Sequence, residues 1–363
     1  SGSEVDINLG FEPQFFLYKA SNVSNDWEIL DVMRAWNETQ YCRLNPHESA
    51  AEACYSNSSS NYVKPYANGV KFKTGGSGRD YIYIAIRRGP MKEPSAGTDV
   101  FKAISRTGGG GSASITGVGF SPDLYLSKAT NQGSYNPLLY NRLRGKRYLL
   151  TSATDAQPNS DGGLDSYDMD GVSVSGGSSF GLDGSGDSII NYFFKRYPKV
   201  FDVVVYTGNG SARTINHNLG VTPEMIIKKR IDSSSFGDWI VWVNAGLSDA
   251  DYIKLNSSNM FAYGEVIDSS ENTASVFGLT DAADGNLNGS TNVAYLFASL
   301  DGISKVGTYT GTGNDLNVTG LGASARFVLI KRTDASGDWY VYDSTSGIVS
   351  GNDPYFFINS TAV

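Results

Sequence analysis

The chain has 363 residues, with 29 Lys and Arg against 37 Asp and Glu and a formal net charge of −8. It has no basic cluster that could follow a phosphate backbone, which argues against a nucleic-acid partner. No apolar run approaches the 18 or more residues of a membrane span, and no signal-peptide pattern opens the chain. Its 42 glycines and 12% aromatic residues, with almost no long amphipathic helical pattern, indicate an all-β protein of short strands and tight turns.

One pattern recurs along the chain. In its fullest form it starts at the Gly-rich turn Thr207 to Gly210 and passes a marker, Leu219-Gly220, and a Pro. It then enters the apolar run Met225-Ile226-Ile227, closed by Lys228-Lys229. A polar loop leads to Asp238-Trp239 and a second β-rich run, Ile240 to Val243, so the pair reads as a hairpin. Copies stand around Gly10, Gly119 and Gly322, and in all four a Lys follows the marker Gly by nine positions: Lys19, Lys128, Lys229 and Lys331. The unit is thus about 100 residues, enough for a tandem β-sandwich, jelly-roll-like repeat in which each unit buries its own core.

In chain order, the first unit covers 1–92 and holds an insertion, Asn37 to Asn61. There Asn45 as N-cap, Pro46 and Glu48 predict a short helix over Ser49 to Cys54. Cys42 and Cys54 can close one small loop, although two inert thiols are the simpler expectation. Trp27 to Trp36 fits a strand at its start, and Val70 to Phe72 forms another. Tyr81 to Ile86 alternates strongly enough to predict a central strand. The second unit, 99–200, closes with Ile189 to Phe194, and the third, 201–304, with Val293 to Ala298. The fourth, 305–363, has an opening strand at Lys305 to Tyr309 but no closing strand, whereas the first lacks the opening one. Half-units leave unpaired strand edges, so completion by flanking chain, by a neighbouring subunit or by the two ends joining is expected.

The runs TGNGSARTINHNLGVTPEMIIKKR with the following Asp238-Trp239, NYFFKRYPKVFDVVVY, RLNPHESAAEA and SYDMDGVSV together resemble a repeat module of tailed-bacteriophage structural proteins, especially marine ones. Such proteins are often labelled tail-fibre-like. The resemblance covers most of the first three units and half of the fourth, with the second departing by its lack of Asp-Trp. It implies a β-rich virion component and carries no catalytic residues to transfer.

The Gly-rich turns precede strands and lack the Lys-Ser/Thr pair of a phosphate-binding loop, so they are hairpin or bulge turns. His217 has no counterpart in the other copies and belongs to no nucleophile–base pattern, which suits a polar edge-strand position. Asp161, Asp165, Asp168 and Asp170 form an oxygen-rich loop that could hold Ca²⁺, or act only as turn formers. Trp27, Trp239 and Trp339 hold one scaffold position, which favours packing over sugar stacking. The recurrent Lys is expected to keep its ammonium in water, within reach of the Asp before each Trp.

The expected protein is therefore a non-enzymatic virion component, most simply a tail-fibre or adhesion protein. Its partners would be copies of itself, other virion proteins and a host surface glycan or protein. The loops 37–61, 155–171 and 264–291 would make the contact. A capsid-decorating protein and a fibre-borne depolymerase, which needs paired carboxylates, are the alternatives.

Overall fold

Runs of β-branched and aromatic residues, separated by Gly, Asn and Asp, become antiparallel strands throughout. The computed structural model describes residues 4–57, 61–73, 78–88, 92–175, 180–245, 251–348 and 353–362, and the all-β sandwich-type expectation holds for them.

The span 201–304 shows the full plan. Its opening strand, Phe201–Thr207, pairs with the closing strand, Thr291–Phe297. The closing strand pairs in turn with the lysine strand, Met225–Arg230. Next come the tryptophan strand, Trp239–Val243, and Asp251–Lys254. A smaller sheet, Arg213–Asn216, Val276–Leu279 and Ile267–Asp268, covers one face. Alternation sends Ile226, Trp242 and Leu296 inward against Ile215 and Phe277 of the cover. The span 99–200 repeats this, with Phe101–Thr107 opening, Ser188–Phe194 closing, and Leu124–Ala129 and Leu138–Asn141 between that closing strand and Tyr148–Leu150. Its cover is Ala113–Ile115, Gly171–Val174 and Leu164–Asp168. In the first span, Pro13–Ala20 lies between Glu28–Asp31 and Tyr81–Arg87, with a cover of Val5–Asn8, Gly69–Lys73 and Tyr62–Tyr66. The last span has one sheet, Phe327–Lys331, Trp339–Asp343 and Phe356–Phe357.

Four local expectations are corrected. Tyr81–Arg87 is an edge strand, not a central one, because no opening strand lies on its far side among the described residues. Lys305 to Tyr309 is not a strand, since an opening strand pairs only with a closing strand and none stands beside it. No helix forms over Ser49 to Cys54. Gln40–Arg43 and Ala53–Ser56 make a hairpin there, and Asn45 and Glu48 are spent on its turn. Cys42 and Cys54 are direct cross-strand partners in that hairpin and are joined in a disulfide rather than standing as free thiols.

The spans do not bury separate cores only. A central cluster draws Leu126 and Tyr192 from 99–200, Ile227 and Tyr295 from 201–304, and Val341 and Phe356 from the last span. The uncovered faces of three large sheets therefore meet around one axis. The first span keeps its own core of Phe16, Tyr18, Leu30 and Trp36. It is fastened to the others by a buried charge network. Arg196 donates to both Glu12 carboxylate oxygens at 2.9 Å and, through Nε, to Asp202 at 2.5 Å.

Two predictions arise here. The marker glycines Gly10, Gly119, Gly220 and Gly322 all have φ between +70° and +87°, a region that β-branched residues resist. At Gly220 an added Cβ would meet open space, so backbone strain alone sets the cost. Gly220→Val should lower stability by about 1–3 kcal/mol and Gly220→Asn by much less, measured by urea unfolding of the whole chain. Arg196→Met should cost about 3–5 kcal/mol, because it leaves Glu12 buried without its bidentate cation and Asp202 with only the more distant Arg88, at 3.7 Å. The same titration checks it, and a loss below about 1 kcal/mol would refute that role.

Candidate functional site

What repeats most faithfully is the seam between neighbouring spans. Cross-strand register places Leu126 with Tyr192 and Lys128 with Ile190, and, in the next span, Ile227 with Tyr295 and Lys229 with Val293. Each set lies on the face turned away from its cover sheet, and Lys128, Lys229 and Lys331 each reach a carbonyl of another span. Lys229 Nζ donates to Thr154 O at 2.8 Å and also to Gly237 O of its own loop. Lys331 donates to Ser258 O at 3.4 Å, and Lys128 to Thr361 O at 2.9 Å and Tyr135 O at 2.7 Å. The direction is cyclic: third span to second, fourth to third, second to fourth.

The acceptors are equivalent as well. Leu149, Ile253 and Phe356 pair with Leu139, Val241 and Val341 of the strand preceding them. In each case the lysine's acceptor stands five residues further on, at Thr154, Ser258 and Thr361. One residue further on stand Leu150 and Lys254, whose carbonyls accept from Trp239 Nε1 at 2.9 Å and Trp339 Nε1 at 3.0 Å. Both indoles are buried in the shared core. That agrees with the packing role expected of them, and their N–H groups find the partner a buried indole requires. Trp27, at the same place in the first span, is only half-buried and lies under Lys19 at 5.8 Å.

Of the recurrent lysines, Lys128 and Lys229 therefore do not reach water, whereas Lys19 and Lys331 are only half-buried, and the Asp before each buried Trp takes another partner. Lys128 and Lys229 are buried, and Asp238 instead accepts from Lys254 Nζ at 2.6 Å and Asn256 Nδ2 at 2.8 Å. Asp338 accepts likewise from Asn359 at 2.8 Å. Burial lowers the ammonium pKa of Lys128 and Lys229 to about 8.

The remaining candidates lie elsewhere. Asp161, Asp165, Asp168 and Asp170 are strung along the Leu164–Asp168/Gly171–Val174 hairpin and the turn before it. Asp161 accepts from Gly163 N at 3.1 Å, Asp168 from the hydroxyls of Ser166 and Ser173, and Asp170 from Gly117 N at 3.0 Å and Gly119 N at 2.6 Å. Those amides hold the Asp170 carboxyl below its ordinary pKa. Asp165 is exposed. Among the described residues, the three side chains close enough to share an ion are instead Asp26, His47 and Glu48. His47 Nε2 lies 3.1 Å from Asp26, where the other spans place the Asn256 and Asn359 amides, so its place is explained by hairpin closure.

His217 directly follows the edge strand Arg213–Asn216 of its cover sheet, and its side chain is buried. Its Nδ1 accepts from Leu219 N at 3.1 Å, and burial holds its pKa below the ordinary value. It lines a cleft of about 140 Å³ with Arg87, Arg88, Arg196 and Asn218, whose cations are engaged with Asn218, Asp123 and Glu12. The stretches 155–171 and 264–291 are largely cover-sheet strands and their turns, and 37–61 contains the disulfide hairpin.

These features define an all-β protein whose sandwich-type spans lock together by a recurrent Lys–Trp seam. Residues 4–90 and 96–353 match the family described as a domain of unknown function (DUF7483), and the chain belongs to that family. No curated protein and no solved structure matches the chain.

Lys228, beside the seam lysine, points the other way, into its own sandwich, where it donates to Asp284 O. Burial is the main cause that lowers its pKa from 10.5 to about 7. At pH 6 it is protonated whether folded or unfolded, and the folded state carries the cost of the buried ammonium. Above about pH 7 the folded state sheds that proton, while the unfolded chain keeps it until about 10.5, so stability rises across this window. Lys228→Met should shrink the gain in stability between pH 6 and pH 9, measured by denaturant midpoints. An unchanged gain would refute the assignment.

Proposed function

We propose that the chain is a structural component of a bacteriophage virion, in a tail fibre or tail-associated adhesion organelle, and that it performs no catalysis of its own. The observation that carries this reading is the seam. Three spans spend their second sheet face on one another, through cations and indoles set on equivalent carbonyls. Such a device serves rigidity and assembly, and it leaves the outer cover sheets and turns as the surface offered to partners. Exposed Met169 marks one of those turns, and exposed Tyr263 the outer edge strand of the large sheet. The sequence resemblance to phage repeat modules supplies the biological setting. On this reading the partners are virion proteins, further copies of the chain, and a host glycan or protein.

The experiment is immunogold labelling of purified particles with antibody against the chain, together with adsorption assays in which the free protein competes. Labelling at the tail tip and competition by free protein are expected. Labelling over the head would overturn the adhesion role, and release of oligosaccharide from host envelope by the protein alone would overturn the non-enzymatic one.

A further inference from the structure

The first span carries every part of the seam, but nothing among the described residues completes it. Phe15 pairs with Ile86, Leu17 with Ile84 and Lys19 with Ile82, as Leu124, Leu126 and Lys128 pair with Phe194, Tyr192 and Ile190. Ile84 is 57% exposed, whereas Tyr192 and Tyr295, at the same place, are 0% and 2% exposed. Ile82 and Ile86 are exposed beside it, and Ile29, Leu17 and Trp27 are only half-covered. The acceptor side is equally open. Leu44 bridges Ile29 as Leu149, Ile253 and Phe356 bridge their partners. One and five residues later stand Asn45 and Ser49, in the places of Leu150 and Thr154. Pro46, in the place of the buried Thr151, Leu255 and Ile358, is exposed.

We propose that this face of the first span is a threefold self-association surface, through which three copies of the chain join by repeating the seam between molecules. Lys19 Nζ of one copy would donate to Ser49 O of the next, and Trp27 Nε1 to Asn45 O. The isoleucines would meet on the axis as Tyr192, Tyr295 and Phe327 do. The occupant has to be another first span for two reasons. The face offers donors and acceptors at once, so its complement bears the same face rotated, as in any closed cyclic interface. The three other copies of the face in this chain are already occupied by one another. A contiguous apolar face of this kind on a sheet with an open edge is also an association site on general grounds. The inference stands on seam geometry and does not depend on the virion reading.

The test is analytical ultracentrifugation of the full chain over a range of micromolar concentrations, with a photo-crosslinking residue at position 27. A species of three times the chain mass is expected, with inter-chain cross-links from position 27 to residues 44–49. Ile84→Asp and Lys19→Glu should each return the protein to monomer with unchanged circular dichroism, since both positions are outside the first span's own core. Met169→Asp, at an exposed turn elsewhere, should leave the trimer intact. A monomer at every concentration would overturn the proposal and point to some other polypeptide on this face. A dimer, or a trimer whose cross-links fall elsewhere or which survives both substitutions, would overturn it as well.

Discussion

The organising constraint is that a sheet has two faces, whereas the cover sheets hide one of them. The other face of each large sheet is apolar, carrying residues such as Leu126, Ile227 and Leu329, and it must be removed from water. Three such faces meeting at one axis bury most of one another, with Thr151 Oγ1 donating to Ile358 O between two of them. Hydrophobic burial drives that meeting but cannot fix its rotation. The rotation is set by polar groups that have one correct partner each. Lys229 and Trp239 find Thr154 and Leu150 only in one arrangement, and in any other the cation would keep only its own loop's carbonyl and the indole N–H would be unpaired.

The depressed pKa of Lys128 and Lys229 shows that this specificity is not free of cost. Burying the ammonium disfavours the charged form, and each seam lysine is held mainly by carbonyl dipoles rather than by a carboxylate. An apolar residue would pack more cheaply but would leave loop carbonyls unsatisfied and the seam free to slip. Buried polar groups used to fix register are the best-attested case of stability given up for uniqueness. Arg196 works differently. It sits between two carboxylates whose attraction outweighs burial and raises its pKa, and it anchors the first span to the second and third without entering the ring.

Much of this was legible in the sequence. The repeat, its length, the marker glycine and the fixed spacing to the lysine follow from residue order alone. The positive φ at Gly119, Gly220 and Gly322 follows from glycine's recurrence at a turn. The lysine's surroundings were not legible. Alternation reports that Lys229 shares a face with Ile227, and an amphipathic stem is ordinarily taken to reach water. Only the third dimension shows that another sheet lies over it. The same limit explains Tyr81–Arg87, where an apolar alternation identifies a strand but cannot say whether its neighbours are present. At Asn45 to Cys54 the local helix signal lost to pairing between strands on either side of it, a tertiary override of propensity.

The missing Trp of the second span shows how the ring closes. Two seams use an indole, from Trp239 and Trp339, but the seam from the second span to the fourth has none. Ring packing and one hydroxyl hold this seam at the other end of the strands. Phe101, Tyr192 and Phe194 surround Phe327 with centroids 5.3–5.7 Å away, and Tyr192 Oη donates to Asp343 at 2.7 Å. In the seam between the second and third spans, the equivalent tyrosine, Tyr295, accepts from Asn141 at 2.8 Å. The tyrosine contact is therefore shared, and rings of the opening and closing strands, rather than an indole, meet the fourth span in this seam. A seam between spans distant in sequence must form after loop closure over more than 200 residues, at a conformational cost the adjacent seams do not bear. Large stacked and edge-on aromatic surfaces, which tolerate imperfect approach better than a single N–H···O contact, suit that closing step.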